Sequence, residues 1–227
     1  MDTHDTTADL SLEDLRLQLA PHIAEAAAFD GWTDAALTMA AEIAGIDPAA
    51  ARFAFQGEQG SSAAMVMVTA WAGSIDRAMA EALRPERLAT MPIRQRITSL
   101  VQFRLDEIAG REEALRGALI ELAKPWNILA ATRLGWRSAD VMWRLAGDTA
   151  TDYNHYTKRA ILGSIYAATL AVLADDKSED RADTRAFLAR RIEGIMRFEK
   201  TKAKFTKPSE ERFSVTRLLG RLRYPAR

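Results

Sequence analysis

The stretch from residue 147 to residue 173 constrains the fold more than any other part of the sequence. Its first half is polar and aromatic, and residues 160–173 are mostly small and apolar. Thr149 and Asp152 have the spacing of a capping box, in which two side chains satisfy free amides at the start of a helix. The stretch therefore predicts one long helix whose first turns face outward and whose later turns are buried.

One face of the first turns of this helix carries four polar or aromatic side chains. Asp152, His155, Tyr156 and Arg159 stand at positions i, i+3, i+4 and i+7 of the predicted helix. Spacing alone fits a solvated helix end with local ion pairs. It also fits a partner-binding site, because exposed Tyr and Arg are common at the centres of protein interfaces.

Apolar residues recur with helical spacing through nearly the whole chain, which predicts an all-α fold. Gly and Pro divide the pattern, and we expect Pro21 to kink or split the first helix and Gly135 to break a later one. The predicted helices are 12–29, 34–44, 48–55, 61–83, 86–109 with an interruption at Pro92, 112–123, 125–134, 139–146, 147–173, 183–200 and 211–223.

The composition indicates neither a catalytic site nor a metal site. The 227 residues include no Cys, which excludes a thiolate nucleophile and a Cys-based zinc site. Asp152 and His155 have the carboxylate-x-x-His spacing of di-iron bundles, but no second such pair exists to complete that site. No phosphate-binding glycine motif is present. We therefore predict a protein without catalytic residues, metal or cofactor.

The formal net charge of zero conceals a strong asymmetry between the two ends of the chain. Residues 1–60 contain eleven Asp and Glu against two Lys and Arg, whereas residues 181–227 contain fourteen basic residues against five acidic ones. The two ends are therefore expected to meet different electrostatic partners, or each other.

Four of the five Trp residues fall between residues 71 and 143. They indicate either a bulky core or an apolar cavity between helices for a long lipophilic ligand. The candidate lining residues of such a cavity are Met65, Trp71, Trp126, Trp143, Ile161 and Ile165.

The last predicted helix is basic and amphipathic. Its apolar positions Val215, Leu218, Leu219 and Leu222 lie at i, i+3, i+4 and i+7, with Arg217 and Arg221 beside them. This pattern favours a helix lying on a membrane surface over an ordinary docking helix. Because residues 1–14 contain neither a signal-peptide apolar region nor an Arg-rich transit pattern, we predict a protein of the bacterial cytoplasm, peripheral on the inner membrane. The alternative that stays open is a mature organellar protein.

The first quarter of the chain resembles the helix-turn-helix end of the TetR-type regulators. The resemblance rests on residues 23–29, 31–33 and 43–46 and on the Phe53 and Phe55 pair. The segment that would read DNA, residues 47–54, offers one Arg and mostly Ala within a strongly acidic region. We therefore predict a TetR-like bundle whose DNA binding is lost, with a ligand-responsive transcriptional regulator as the alternative function.

The central helix carries a sharper resemblance. Residues 148–166, together with 183–192 and 198–202, are similar to the ubiquinone biosynthesis accessory protein family, and a Trp is usual in eukaryotic members where His155 stands. The resemblance implies a non-catalytic, TetR-like protein that binds isoprenoid lipids or quinone precursors and presents them to the di-iron demethoxy-ubiquinone hydroxylase. It also implies that Asp152, His155, Tyr156 and Arg159 contact that hydroxylase, and that the last helix reaches the membrane.

The expected organisation follows from these segments. Residues 1–60 form a degenerate helix-turn-helix region, residues 61–200 a helical lipid-binding region, and residues 201–227 a basic linker and membrane-binding helix. A homodimer is expected because TetR-like folds pair through their last helices.

Overall fold

The computed structural model describes residues 11–57, 61–149 and 153–206, and the side chains in these ranges apart from those of residues 153 and 196–206. In this part of the chain all regular structure is helical, so the all-α prediction is confirmed. The α-helices are α1 (Leu12–Asp30), α2 (Asp34–Ala44), α3 (Pro48–Ala54), α4 (Ala63–Ala82), α5 (Pro85–Ala89), α6 (Ile93–Ile108), α7 (Glu112–Ala123), α8 (Ile128–Leu145), α9 (Tyr153–Asp175) and α10 (Ala182–Thr206). Short 3₁₀ turns precede α8 and α10.

By its internal contacts the chain divides into two units, Met1–Ala189 and Arg190–Arg227. In the first unit, α1 packs against α2, α4 and α7, and α9 packs against α7 and α8. In the second unit, the structure describes the end of α10, which stays helical as far as Thr206. Among the described residues no helix combines the length and apolar character that crossing a membrane requires. The TetR-like topology stays a prediction.

The first helix continues through Pro21, contrary to the expected kink or split. Leu19, Ala20 and Ile23, which flank the proline, have no solvent exposure. A proline inside a helix costs about 3 kcal/mol. Burial of the surrounding apolar face against α2, α4 and α7 offsets this cost, so the helix is not interrupted.

The eighth helix likewise continues through Gly135, which was expected to end one helix and begin another. Gly135 lies where α9 comes close, because a Cβ added at Gly163 of α9 would meet the Gly135 carbonyl oxygen at 3.5 Å. Gly163 therefore allows α9 to approach the backbone of α8, whereas a Cβ at Gly135 itself would meet no atom within 4 Å. Ser138 lies inside α8 rather than at its start.

The connection between α9 and α10 is held by one carboxylate. Asp176 accepts hydrogen bonds from the backbone N–H and hydroxyl groups of Ser178 and from the same two groups of Thr184, at 2.5 to 2.9 Å. Burial raises the pKa of Asp176, but these four hydrogen bonds together lower it by more than burial raises it. The pKa therefore lies below its ordinary value. The carboxylate therefore fixes where α10 begins.

Replacing Asp176 with Asn should lower the free energy of unfolding by about 1 kcal/mol at pH 7, because an amide accepts on one atom only. The folded-state pKa is depressed, so this stabilisation is present above the unfolded pKa of about 3.9 and is lost as the pH falls below it. Thermal unfolding between pH 3 and pH 7 measures both effects. The difference in melting temperature between wild type and Asp176→Asn should become smaller in acid. The control is Asp183→Asn, which changes an exposed acid of the same turn and should change stability by less than about 0.5 kcal/mol.

Candidate functional site

An apolar cavity of about 330 Å³ lies within the first unit, between α4, α6, α7, α8 and α9. Its walls are mainly aliphatic and aromatic side chains from all five helices: Trp71, Ile75, Ile108, Leu115, Leu134 and Leu170. The volume falls within the usual range for small-molecule sites, and such sites in helical proteins lie between the helices. The cavity is therefore the candidate binding site for a lipophilic ligand.

One end of the cavity is polar. Arg104 of α6 is 1% exposed and forms an ion pair with Asp76 of α4. It also donates to the Ser138 hydroxyl of α8 at 3.2 Å, and its guanidinium carbon lies 4.8 Å from the ring centroid of Tyr166 of α9. Burial raises the pKa of the Tyr166 phenol, so this group stays protonated and neutral at physiological pH. We call Asp76, Arg104, Ser138 and Tyr166 the polar cluster.

The other end of the cavity is apolar and lies toward the turn between α7 and α8. Leu122 and Ala123 line the cavity immediately before this turn, and Ala131 lines it just after. The turn itself is fixed by buried Glu121, which accepts hydrogen bonds from Asn127 at 2.8 Å and from Ser62 at 3.0 Å. Large apolar side chains are exposed around it: Ile120, Trp126, Ile128 and Leu129. The cavity thus has a polar end and an apolar end with an apolar surface beside it.

The predicted lining residues are only partly in the cavity. Trp71 lines it, whereas Met65 lines a more open groove of about 470 Å³ between α1, α4 and α8. Trp126 is 70% exposed on the α7–α8 turn.

The remaining three predicted lining residues also lie elsewhere. Trp143 is half-buried and donates its indole N–H to the Lys158 carbonyl oxygen at 3.0 Å. Ile161 and Ile165 are not among the residues that line either space, although Ile165 is buried. Helical spacing identified apolar positions correctly but could not show which of them face the cavity.

Three aromatic side chains meet on the outside of α8 and α9. The ring centroids of Trp136, His155 and Tyr156 lie 5.1 to 6.4 Å apart. Tyr156 is 62% exposed and Trp136 is 36% exposed. Leu129, seven residues before Trp136 and therefore on the same side of α8, is also exposed. We call Leu129, Trp136, His155 and Tyr156 the aromatic surface.

Arg159 does not belong to that surface, which corrects the sequence-based expectation. Its side chain is 2% exposed, and its guanidinium forms ion pairs with Asp140 at 2.6 Å and Asp148 at 3.1 Å. It also donates to the His155 carbonyl oxygen at 3.1 Å. Arg159 therefore supports the first turn of α9, which carries His155 and Tyr156. Its charge is neutralised by Asp140 and Asp148 inside the protein.

Asp148, three residues after the end of α8, forms ion pairs with two basic side chains of α9. It pairs with Lys158 at 2.6 Å as well as with Arg159. Burial raises the pKa of Asp148, but the hydrogen bonds from Lys158 and Arg159 lower it more, so the pKa is below its ordinary value. This network fixes Asp148 against the second turn of α9.

Other predicted site residues lie outside the described part of the chain. Asp152, predicted to contact a partner, is one of them. The predicted membrane-binding residues are the others: Val215, Arg217, Leu218, Leu219, Arg221 and Leu222. Within residues 11–57, 61–149 and 153–206, no three His, Asp or Glu side chains form a group that could hold a metal ion.

The third helix carries little that could read DNA. Its Arg52 forms an ion pair with Asp34 at 2.9 Å and donates to the Thr38 hydroxyl at 2.9 Å. Phe53 beside it is exposed. Arg52 is the basic residue that a contact with a DNA phosphate would require, and in the structure it is paired with Asp34 instead.

Comparison with known proteins places these features in a family. The sequence model of the COQ9 family matches residues 128–199, which include α8, α9 and the aromatic surface. "Ubiquinone biosynthesis protein COQ9, mitochondrial" of Homo sapiens is 34% identical over 169 residues, 73% of this chain and 52% of the human protein. The Rattus norvegicus protein of the same name is also 34% identical over 169 residues, 73% of this chain and 54% of its own length.

A more distant relative is the "Probable ubiquinone biosynthesis protein coq9, mitochondrial" of Dictyostelium discoideum. It is 25% identical over 137 residues, 60% of this chain and 43% of its own length. The chain thus spans about half the length of the curated relatives it matches.

These relatives overturn the predicted location. The human, rat and Dictyostelium proteins are all named as mitochondrial, which points to mitochondria rather than to the bacterial cytoplasm. The composition of the first residues was therefore an unreliable guide. Taken together, the match over α8 to α10 and the relatives one third identical show that the chain belongs to the COQ9 family.

Proposed function

We propose that this protein is a non-catalytic accessory protein of ubiquinone biosynthesis that binds an isoprenoid quinone precursor and presents it to the demethoxy-ubiquinone hydroxylase. The observation that carries the proposal is the apolar cavity, which occurs in a chain whose relatives are named as ubiquinone biosynthesis proteins.

The physical basis is the cost of moving such a substrate out of a bilayer. Each buried methylene is worth about 0.8 kcal/mol, so a polyisoprenoid tail does not leave lipid unaided. A protein that surrounds part of the molecule with Trp71, Ile108 and other apolar side chains lowers that cost. The basic residues of the chain's end, including Arg217 and Arg221, would attract it to an anionic membrane.

The aromatic surface is the proposed contact for the hydroxylase. Exposed Trp and Tyr side chains dominate the binding energy of many interfaces because they bury a large area with little loss of conformational entropy. Trp136 supplies an indole next to His155 on this surface. The predicted homodimer stays a prediction. The pairing of Arg52 on α3 with Asp34 on α2 argues against the alternative of a transcriptional regulator.

The test is mass spectrometry of lipids released by denaturing the full chain after purification without detergent. We expect an isoprenoid quinone or its precursor from the wild type. Ala72→Phe, which projects a ring into the cavity, should reduce the recovered lipid at least tenfold.

The matched control is Val66→Phe, which places the same ring on the same helix but facing the open groove. It should leave the recovered lipid unchanged. Absence of any lipid from the wild type, or equal recovery from Ala72→Phe and Val66→Phe, would contradict the proposal.

A further inference from the structure

The guanidinium of Arg104 has a hydrogen-bond donor that the fold leaves unused. One terminal nitrogen donates to Asp76 and the other to Ser138. The Nε atom is buried and has no acceptor among the residues that the structure describes. An unmet donor in the interior is costly, and an arginine is never deprotonated to avoid that cost.

Arg104, the residue that carries this donor, lines the polar end of the cavity. Arg104 and Ser138 both line the cavity, as does the ring of Tyr166 against which the guanidinium stacks. The polar cluster joins four different helices, so its geometry is held rigidly by the fold. A ligand that fills the cavity thus reaches a residue that has one unused N–H donor.

The charge of the cluster limits what that donor can hold. The positive charge of Arg104 is balanced by the carboxylate of Asp76, and both are buried. A second anion here would be buried without a counter-charge, which is strongly unfavourable. A neutral oxygen, such as a carbonyl or an ether, needs only the spare donor.

We propose that the polar cluster is a head-group site, in which Arg104 Nε donates to an oxygen of a neutral, oxygen-substituted ring. The tail then extends along the apolar walls toward the α7–α8 turn, where Leu122 and Ala131 line the cavity. This inference rests on the proposed function, since it requires that the cavity hold a lipophilic ligand.

Equilibrium dialysis of the full chain with three ligands that each contain a ten-carbon chain tests the site: a decyl dimethoxy-benzoquinone, decylbenzene and decanoate. The wild type should bind the quinone about tenfold more tightly than decylbenzene, the effect of one hydrogen bond from a charged donor. The double variant Asp76→Leu/Arg104→Met, which leaves no buried charge unpaired, should lower this ratio to about one. Arg104→Lys keeps a charge for Asp76 but lacks the Nε donor, and should lower it likewise.

The outcomes separate the head-group site from the cavity itself. Binding of quinone and decylbenzene with equal affinity by the wild type would overturn the head-group site but not the lipid cavity. Binding of neither would overturn both. A preference that survives in both variants, or tighter binding of decanoate than of the quinone, would overturn the assignment of a neutral head to Arg104.

Discussion

Replacing Arg159 with Leu should lower the free energy of unfolding by about 3–5 kcal/mol, which is the usual result of breaking a buried ion pair by removing one partner. The substitution leaves the carboxylates of Asp140 and Asp148 without the guanidinium that lies between them. For a chain of this size the melting temperature should fall by roughly 10 °C. Chemical denaturation and calorimetry at pH 7 measure the loss.

Arg144 offers a matched control because it pairs with the same carboxylate from the protein surface. Its side chain is 72% exposed and reaches Asp140 at 2.7 Å. Arg144→Leu should cost less than about 1 kcal/mol, as is typical of exposed ion pairs. Equal effects of Arg144→Leu and Arg159→Leu would contradict a buried structural role for Arg159.

A compensated variant separates charge from packing. Asp140→Asn and Asp148→Asn, added to Arg159→Leu, remove the two carboxylates that have lost their buried partner and should recover more than half of the lost stability. If the loss came only from the missing arginine stem, the additional changes would give no recovery.

The extent of most helices follows from sequence periodicity. The predicted helices 34–44 and 112–123 coincide with α2 and α7. The two errors, at Pro21 and Gly135, have a common cause. Local propensity disfavours a helix at both residues, but the flanking residues pack against other helices and determine the outcome. A glycine that lies inside a packed helix, as Gly135 does, cannot be distinguished locally from one that ends a helix.

The site was harder to predict because its contacts are distant in sequence. Arg104 is bound to Asp76, 28 residues earlier, and to Ser138, 34 residues later. One local signal was available: Arg104 falls within the apolar stripe of Ile97, Leu100, Val101 and Ile108, so a charged residue at that spacing indicates a buried ion pair.

The same limit explains the different fates of Tyr156 and Arg159. They lie three residues apart on α9, so helical spacing places both near one face. Which part of that face is covered depends on where α8 crosses, and only the tertiary structure shows that Asp140 of α8 meets Arg159. Trp136 was missed as a surface residue for the same reason, because its spacing is compatible with the core.

Removing the two exposed rings of the aromatic surface should have a large effect on partner binding. The double variant Trp136→Ala/Tyr156→Ala should weaken binding to the proposed partner, the demethoxy-ubiquinone hydroxylase, at least thirtyfold, since a single hot-spot aromatic often contributes 2 kcal/mol or more. Biolayer interferometry with the purified hydroxylase measures the affinity. Because both side chains are at least 36% exposed, thermal stability should change by only a few degrees.

The control for this variant is Phe29→Ala, which removes an aromatic ring that is 92% exposed on α1. It should not change hydroxylase binding. If the double variant binds as wild type does while folding normally, the hydroxylase contacts another surface, and the exposed Trp126 and Ile128 of the α7–α8 turn become the next candidates. If binding falls in Arg159→Leu as well, and only in proportion to its loss of folded protein, Arg159 acts by supporting the turn of His155 rather than by touching the partner.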